Sequence, residues 1–308
     1  MRRYAPHGRI FETQGRKQME YKTDEMLRNW TTLRIGGPAA RFYEPETIAQ
    51  IQEILEENKK AQAPLLVLGN GSNVLFEDEG YDGWIIHLGE AFSGIEEEEN
   101  GVVRTLAGTT NEELADYLAR HGLTGFEFAS GIPGTVGGAV IMNAGAYNGE
   151  YKDILVRVGY LDENGVLHEK SAQELDLGYR HSWFTDHFGI VVYADLQFEE
   201  DRPENVKARM DDLHDRRHSK QPMDKASAGS TFKRPAKGYA SALIQECGLQ
   251  GKCVGDAMVS TKHAGFLINE DQATCKEFLE LVALVQDEVR RQKGIDLELE
   301  VHYICKNG

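Results

Sequence analysis

The sequence has 308 residues, 41% hydrophobic and 27% charged, proportions that suit a globular chain and exclude a disordered one. Its length accommodates about two to three domains. Fifty acidic residues against 34 basic ones leave a net charge of −16, which argues against a nucleic-acid partner because affinity for a phosphate backbone comes mainly from Lys and Arg.

Residues 1–20 carry Arg2, Arg3, Arg9 and Arg16 without an apolar stretch, so they read as an N-terminal tail and not as a secretory signal. Nowhere does the sequence approach the roughly 18 consecutive apolar residues of a membrane span. Cys247, Cys253, Cys275 and Cys305 form no CxxC pair. In a chain without a signal they read as reduced thiols in a cytoplasm.

From Thr47 to Lys60, Ile48, Ile51, Ile54 and Leu55 recur at helical spacing, which predicts a helix. The run Leu65–Leu68, between Pro64 and Gly69, predicts a short buried strand. Val74–Phe76, Trp84–Leu88 and Val102–Leu106 read as further strands, and the acidic run Glu96–Glu99 as solvated surface. Thr110 and Glu113 frame a capping box opening a helix that ends near His121-Gly122. Between Phe128 and Gly149, six glycines exclude all but a short helix. Strands are expected again at Leu155–Leu161 and Ile190–Phe198, and a charged helix at Arg202–Arg217. Beyond these come a turn at Ala228-Gly229-Ser230, helices at Tyr239–Cys247 and Ala273–Gln292, and a terminal strand at Leu297–Ile304. This order predicts an α+β fold in at least two lobes, without the regular alternation of a doubly wound sheet.

Several segments carry chemistry. Gly69-Asn70-Gly71-Ser72-Asn73 follows a strand, but Val74 to Phe76 continue as strand, so no helix completes a dinucleotide-binding fingerprint. The segment is either a plain tight turn or a nest of N–H groups for an anion. Gly131-Ile132-Pro133-Gly134-Thr135 with Gly137 and Gly138 offers backbone that can lie flat against a ligand, or a structural loop. His214 and His218, four apart, resemble a zinc-hydrolase helix with Asp215 in place of Glu. No third ligand stands out, and an exposed charged helix is the better account. Arg180, within Tyr179-Arg180-His181-Ser182, suits either a carboxylate clamp or a stacked core position. Ser230 lies in a turn near Lys233 and Arg234, and no Ser-His-Asp triad can be assembled around it.

Seven segments recur in order: Asn29-Trp30-Thr31-Thr32-Leu33-Arg34-Ile35-Gly36-Gly37, Leu68–Phe76, the 131–149 glycine segment, Tyr179-Arg180-His181-Ser182, Ala228–Pro235, Ala264–Asn269 and Leu297–Val301. With these, the sequence resembles the UDP-N-acetylenolpyruvoylglucosamine reductase family of bacterial peptidoglycan synthesis. The resemblance implies an FAD-binding module of two α+β subdomains of the vanillyl-alcohol-oxidase type, residues 21–88 and 89–200. A smaller α+β substrate-binding domain, residues 201–308, is then expected to follow. It also implies non-covalent FAD, its pyrophosphate near Gly69–Asn73 and its ring near Gly131–Gly138 and Asn143-Ala144-Gly145-Ala146. NADPH is the implied reductant, and a UDP-sugar enolpyruvyl ether the implied substrate.

By motif match Ser230 is the expected proton donor, and Arg180 and Glu300 the expected stabilisers of an enolate. Lys220 matches a lysine that holds the substrate diphosphate, and Tyr179, Lys233 and Arg234 are expected to contact substrate. The resemblance further implies a cytoplasmic enzyme supporting cell shape and division, and it leaves the oligomeric state open. Two departures stand out. The short spacing between the Arg and Ser motifs is similar to the subclass without an inserted tyrosine loop. Arg234 stands where other members carry Asn, which implies a charged contact to phosphate. An idle nucleotide-sugar or flavin carrier and an oxidase of the same fold are the rival expectations.

Overall fold

The computed structural model describes residues 19–308, so the expected N-terminal tail lies outside the described residues except for its last two. The chain divides into two compact units. One holds Tyr43–Asn70 and Ile85–Asp215, the other Lys22–Phe42, Gly71–Trp84 and Arg216–Gly308.

In the first unit, helix α1 (Ile48–Ala61) buries the four apolar residues that predict it, and the Thr47 hydroxyl caps it by accepting the Gln50 N–H at 3.3 Å. The strand Leu65–Leu68 forms as expected but is not buried throughout: only Leu68 is enclosed. It is the edge strand of its sheet, and an edge leaves one side to solvent. Helix α2 (Asn111–His121) opens with the capping box read from the sequence, its two bonds at 3.1 and 3.0 Å.

Five antiparallel strands form the main sheet of this unit, in the order Leu167–Ser171, Leu155–Leu161, Ile190–Gln197, Val102–Leu106, Ile95–Glu97. Its register sets Arg157 and Arg104 on either side of Asp195. Both guanidinium groups donate to that buried carboxylate, Arg104 at 2.6 and 2.7 Å and Arg157 at 2.6 Å. Burial raises the Asp195 pKa, and the two arginines outweigh it, holding the carboxyl below its usual range. Glu96 to Glu99 are exposed as expected, yet Ile95–Glu97 is also strand, with Glu96 opposite Arg104.

Helix α3 (Val136–Ile141) is the short helix allowed within the glycine segment, and it packs on the strands Ile190–Gln197 and Val102–Leu106. Gly137 makes that approach possible: a Cβ there would stand 2.9 Å from the Cβ of Ala107. Helix α4 (Pro203–Lys220) begins in this unit and continues into the other. Arg209 ties it to Glu127 at 2.8 Å and to Asp201 at 2.7 Å.

The second unit contains a four-stranded antiparallel sheet, in the order Ala226–Ser227, Leu267–Asn269, Ala257–Val259, Cys253–Val254. Helices α5 (Ala240–Glu246) and α6 (Cys275–Lys293) bury Ile244, Phe278, Leu281, Val285 and Val289 in one core with Leu33, Ile35 and Leu75. The first two residues of α6 donate their N–H groups to the Asp78 carboxylate at 2.8 and 3.2 Å, an acid where a helix start favours one. The strand expected over Leu297–Ile304 contracts to His302–Ile304, which runs parallel to Val74–Phe76. Before it, Leu299 bridges Phe232 instead, so the stretch changes partner across a bend at Val301. Pro38–Tyr43 is a strand the sequence did not reveal.

Among the described residues, no helix is long and apolar enough to cross a membrane.

Candidate active site

Two glycine loops meet in the first unit. Gly69 lies so close to Thr135 that a Cβ would stand 2.3 Å from the threonine hydroxyl. The Thr135 hydroxyl faces the Gly138 N–H at 3.5 Å, at the start of α3. Behind the second loop, the buried Asn111 accepts the Tyr151 hydroxyl at 2.6 Å and donates to the Ile132 carbonyl at 3.1 Å, while its own N–H reaches the Gly134 carbonyl at 3.0 Å. The loop carbonyls thus turn inward, and the N–H groups of Gly131 and Gly134 meet no acceptor among the described residues. The same holds for the N–H groups of Gly69, Asn70, Gly71 and Asn73. Ile132 and Gly134 are half-buried, and Pro133 and Gly138 are exposed.

Asn143, Ala144 and Gly145 follow α3. Ala144 is bonded on both sides, its N–H to Ala139 at 2.8 Å and its carbonyl to the Tyr151 N–H at 3.0 Å. The Asn143 side chain is fully buried and spent on protein partners. Gly145–Ala146 and Gly149–Glu150 form a hairpin whose central residues, Tyr147 and Asn148, both have positive φ, as a two-residue turn of this hand requires.

The Tyr179-Arg180 turn lies in the same unit. Gly178 and His181 exchange N–H bonds at 3.1 and 3.3 Å, and Arg180 sits between them at φ +53°. Its guanidinium donates to the Gly145 carbonyl at 3.2 Å and lies 5.0 Å from the Tyr179 ring. Tyr179 is exposed.

In the second unit, Ser230 is exposed and its hydroxyl bonds to no described residue. Gly229, at φ +75°, turns the chain into it. Thr231, fully buried, anchors the turn: its N–H donates to the Gly265 carbonyl at 2.9 Å and its hydroxyl accepts the Leu267 N–H at 3.0 Å. The Thr231 carbonyl accepts the Glu300 N–H at 2.9 Å, and the Lys233 N–H donates to the Glu298 carbonyl at 2.8 Å. Ser230 and Glu300 are therefore brought onto neighbouring segments. Glu298 is exposed and ion-paired with Lys233, whereas Glu300 is half-buried and its carbonyl accepts the Asn73 amide at 3.2 Å. The Arg234 guanidinium stacks 4.3 Å over Tyr239. Lys220 is exposed at the end of α4.

Some supporting residues escaped the sequence reading. Thr32 and Asn269 lie in segments that carried the resemblance but had no role assigned. The Thr32 hydroxyl donates to the Ser227 carbonyl at 2.7 Å, and the Asn269 amide to the Leu33 carbonyl at 3.1 Å. Asn111 carries no local signal, since its partners Tyr151 and Ile132 are far off in sequence.

Residues 39–171 match the FAD binding domain family and residues 221–304 match the C-terminal domain family of UDP-N-acetylenolpyruvoylglucosamine reductase. The UDP-N-acetylenolpyruvoylglucosamine reductase of Limosilactobacillus reuteri is 43% identical over 286 residues, 93% of this chain and 95% of that one. The chain belongs to the UDP-N-acetylenolpyruvoylglucosamine reductase family. Its counterpart from Clostridioides difficile is 41% identical over 92% of each chain. The crystal structure of the Thermus caldophilus reductase matches with a TM-score of 0.79 at 38% identity, covering 92% of this chain and 99% of that one. As a member of the reductase family the protein is an FAD-dependent oxidoreductase, with the α+β FAD-binding fold and C-terminal domain that the sequence led us to expect.

The residues present fit FAD. The successive N–H groups of Gly69, Asn70 and Gly71, which meet no acceptor among the described residues, with Gly71 at φ +59°, suit a pyrophosphate. The N–H groups of Gly131 and Gly134, which meet no acceptor among the described residues and belong to residues without side chains, suit the polar edge of a flavin ring.

Proposed function

We propose that the protein reduces the enolpyruvyl group of UDP-N-acetylglucosamine enolpyruvate to give UDP-N-acetylmuramate, with NADPH as reductant, in the cytoplasmic stage of peptidoglycan synthesis. FAD held by the two glycine loops would supply hydride chemistry, accepting a hydride from NADPH and making one available to the methylene carbon of the enolpyruvyl group. The neighbouring carbon is left with enolate charge and needs a proton. Ser230 gives that proton from its hydroxyl, and a solvent proton later restores it. Arg180 holds a planar, permanently charged fork toward the developing charge, and the Glu300 carboxyl hydrogen-bonds the substrate carboxyl or relays the proton. Lys220, Lys233 and Arg234 attract the diphosphate, and Tyr179 lies against the substrate. In a chain of net charge −16, such local cations are what an anionic substrate requires.

Gly69–Asn73 hold the pyrophosphate of FAD, and Gly131–Gly138 with Ala144 and Gly145 form the wall for its ring, while Asn143, fully buried on protein partners, stands behind that wall. Residues 21–88 and 89–200 serve as the FAD-binding subdomains and 201–308 as the substrate domain. The observation that most supports the reaction is the exposed Ser230 hydroxyl on a turn bonded through Thr231 to the Glu300 segment.

Anaerobic mixing tests it: NADPH should bleach the flavin absorbance, and the enolpyruvyl sugar should restore it. Restoration by oxygen alone would identify an oxidase and overturn the reading. Ser230→Ala is expected to keep flavin reduction and to slow reoxidation by about 10²-fold to 10⁴-fold, the usual worth of a general acid. Loss of both half-reactions, or of neither, would remove Ser230 from the role.

A further inference from the structure

Arg180 stands in a left-handed conformation, φ +53°, which residues other than Gly, Asn and Asp rarely adopt. Such a conformation persists only where its surroundings over-determine it. The surroundings here are two pins. At one end of the turn, the Asn143 Nδ2 donates to the Gly178 carbonyl at 2.8 Å; at the other, the Ser182 hydroxyl donates to the Ile141 carbonyl at 2.7 Å. Both side chains are fully buried.

The Asn143 carboxamide has no freedom left. Its second donor bond goes to the Glu150 carboxylate at 3.0 Å, and its oxygen accepts the Lys152 N–H at 2.9 Å. Two acceptors on one side and a donor on the other fix which way the amide faces. Asn143 is itself left-handed, φ +39°, so its backbone directs the side chain toward the turn. The Arg180 guanidinium then returns to the same segment at the Gly145 carbonyl, 3.2 Å away.

We propose that Asn143 is a positioning residue that fixes Arg180 through the Gly178 carbonyl, with Ser182 pinning the other end of the turn, and that it is not a ligand of the flavin. The inference rests on the role given to Arg180 above. Glu150 completes the unit as a carboxylate, held below its usual range first by its hydrogen bond with Lys152, with smaller contributions from Asn143 and the Arg180 charge.

The test is a double-mutant cycle on the FAD-loaded enzyme, read as flavin content, NADPH reduction of the flavin and reoxidation by the enolpyruvyl sugar. Asn143→Gly keeps the left-handed backbone available and removes the amide. It should retain one FAD per chain and normal reduction, and slow the limiting rate of reoxidation by about 10- to 100-fold, the scale of a displaced catalytic group. In an Arg180→Ala background the same change should cost nothing further, because its effect passes through Arg180. Ser182→Ala, a smaller change that leaves the amide hub intact, should act in the same direction and also vanish in that background. Loss of FAD from Asn143→Gly with Ser182→Ala unaffected would make Asn143 a cofactor ligand and overturn the proposal. Full additivity with Arg180→Ala would overturn it too. Normal turnover of Arg180→Ala would instead remove the role of Arg180 itself, a result the cycle separates from the other two.

Discussion

Glu298 and Glu300 share one side of an extended stretch by alternation alone, yet their surroundings differ. Glu298 is exposed and held by Lys233, while Glu300 is half-buried with its N–H on the Thr231 carbonyl at 2.9 Å. A surface ion pair contributes little, so Glu298→Gln should leave turnover nearly unchanged. Glu300→Gln is expected to slow reoxidation of the flavin by the enolpyruvyl sugar at least about 10²-fold, the low end for a lost catalytic group. Stopped-flow absorbance on both variants decides between them, and equal effects would end the assignment. The periodicity of the sequence left this choice open, because alternation reports which residues share a face and not what that face meets.

The glycine turns make a second contrast, at the scale of the element. Gly71 and Gly229 both have positive φ, +59° and +75°, but only one is crowded. A Cβ on Gly71 would stand 2.0 Å from the Trp30 carbonyl oxygen, whereas nothing lies within 4 Å of one on Gly229. Gly229→Ala should therefore cost only the conformational term, about 1–2 kcal/mol. Gly71→Ala adds a backbone clash and should lose roughly 3 kcal/mol or more, with FAD released, as strain at a special backbone site accumulates. Thermal unfolding and flavin content of the two variants measure the difference.

Elements with a complete local signal were legible in advance. Val74–Phe76 and Val102–Leu106 fall where the apolar runs lie, and the Thr110 capping box starts α2 where expected. The missed elements owe their form to pairing that side-chain composition does not report. Ile95–Glu97 is strand because it pairs with Val102–Leu106, although its side chains have the composition of a solvated run. Leu297–Val301 is not regular strand and carries an isolated bridge from Leu299 to Phe232, 67 residues earlier. Among the site residues, those in glycine-dense or Arg and Ser motifs could be read, while Asn111 and Thr231 support them through bonds that no short window contains.

Acid should destabilise the folded protein through a partly buried imidazole of the second unit. The His263 ring accepts the Gly265 N–H on Nδ1 at 3.2 Å, beside the bond from Thr231 to Gly265. Burial lowers its pKa below the ordinary imidazole value of 6.5. The unfolded chain therefore takes up this proton first, so the contribution is complete above pH 6.5 and is lost as pH falls through the depressed folded value. The melting temperature should decline on going from pH 8 toward about 5.5, in the range where free imidazole titrates. His263→Gln should flatten that decline, and an unchanged slope would place the titration elsewhere.

The second unit is assembled from three separated stretches of chain, and this has a consequence for how the protein is made. Asn73 donates to the carbonyl of Glu300, 227 residues later, and Val74–Phe76 finds its parallel partner only in His302–Ile304. On the ribosome, then, Leu33, Ile35 and Leu75 are translated early and wait for α6 to bury them. Closure over so long a separation is slow, and it becomes possible only when Glu300 and His302–Ile304 have left the exit tunnel. A fragment cut at residue 221, where the C-terminal family match begins, would lack those early segments of its own core. Co-expression of residues 19–220 and 221–308 as two polypeptides should accordingly recover more folded second unit than residues 221–308 alone.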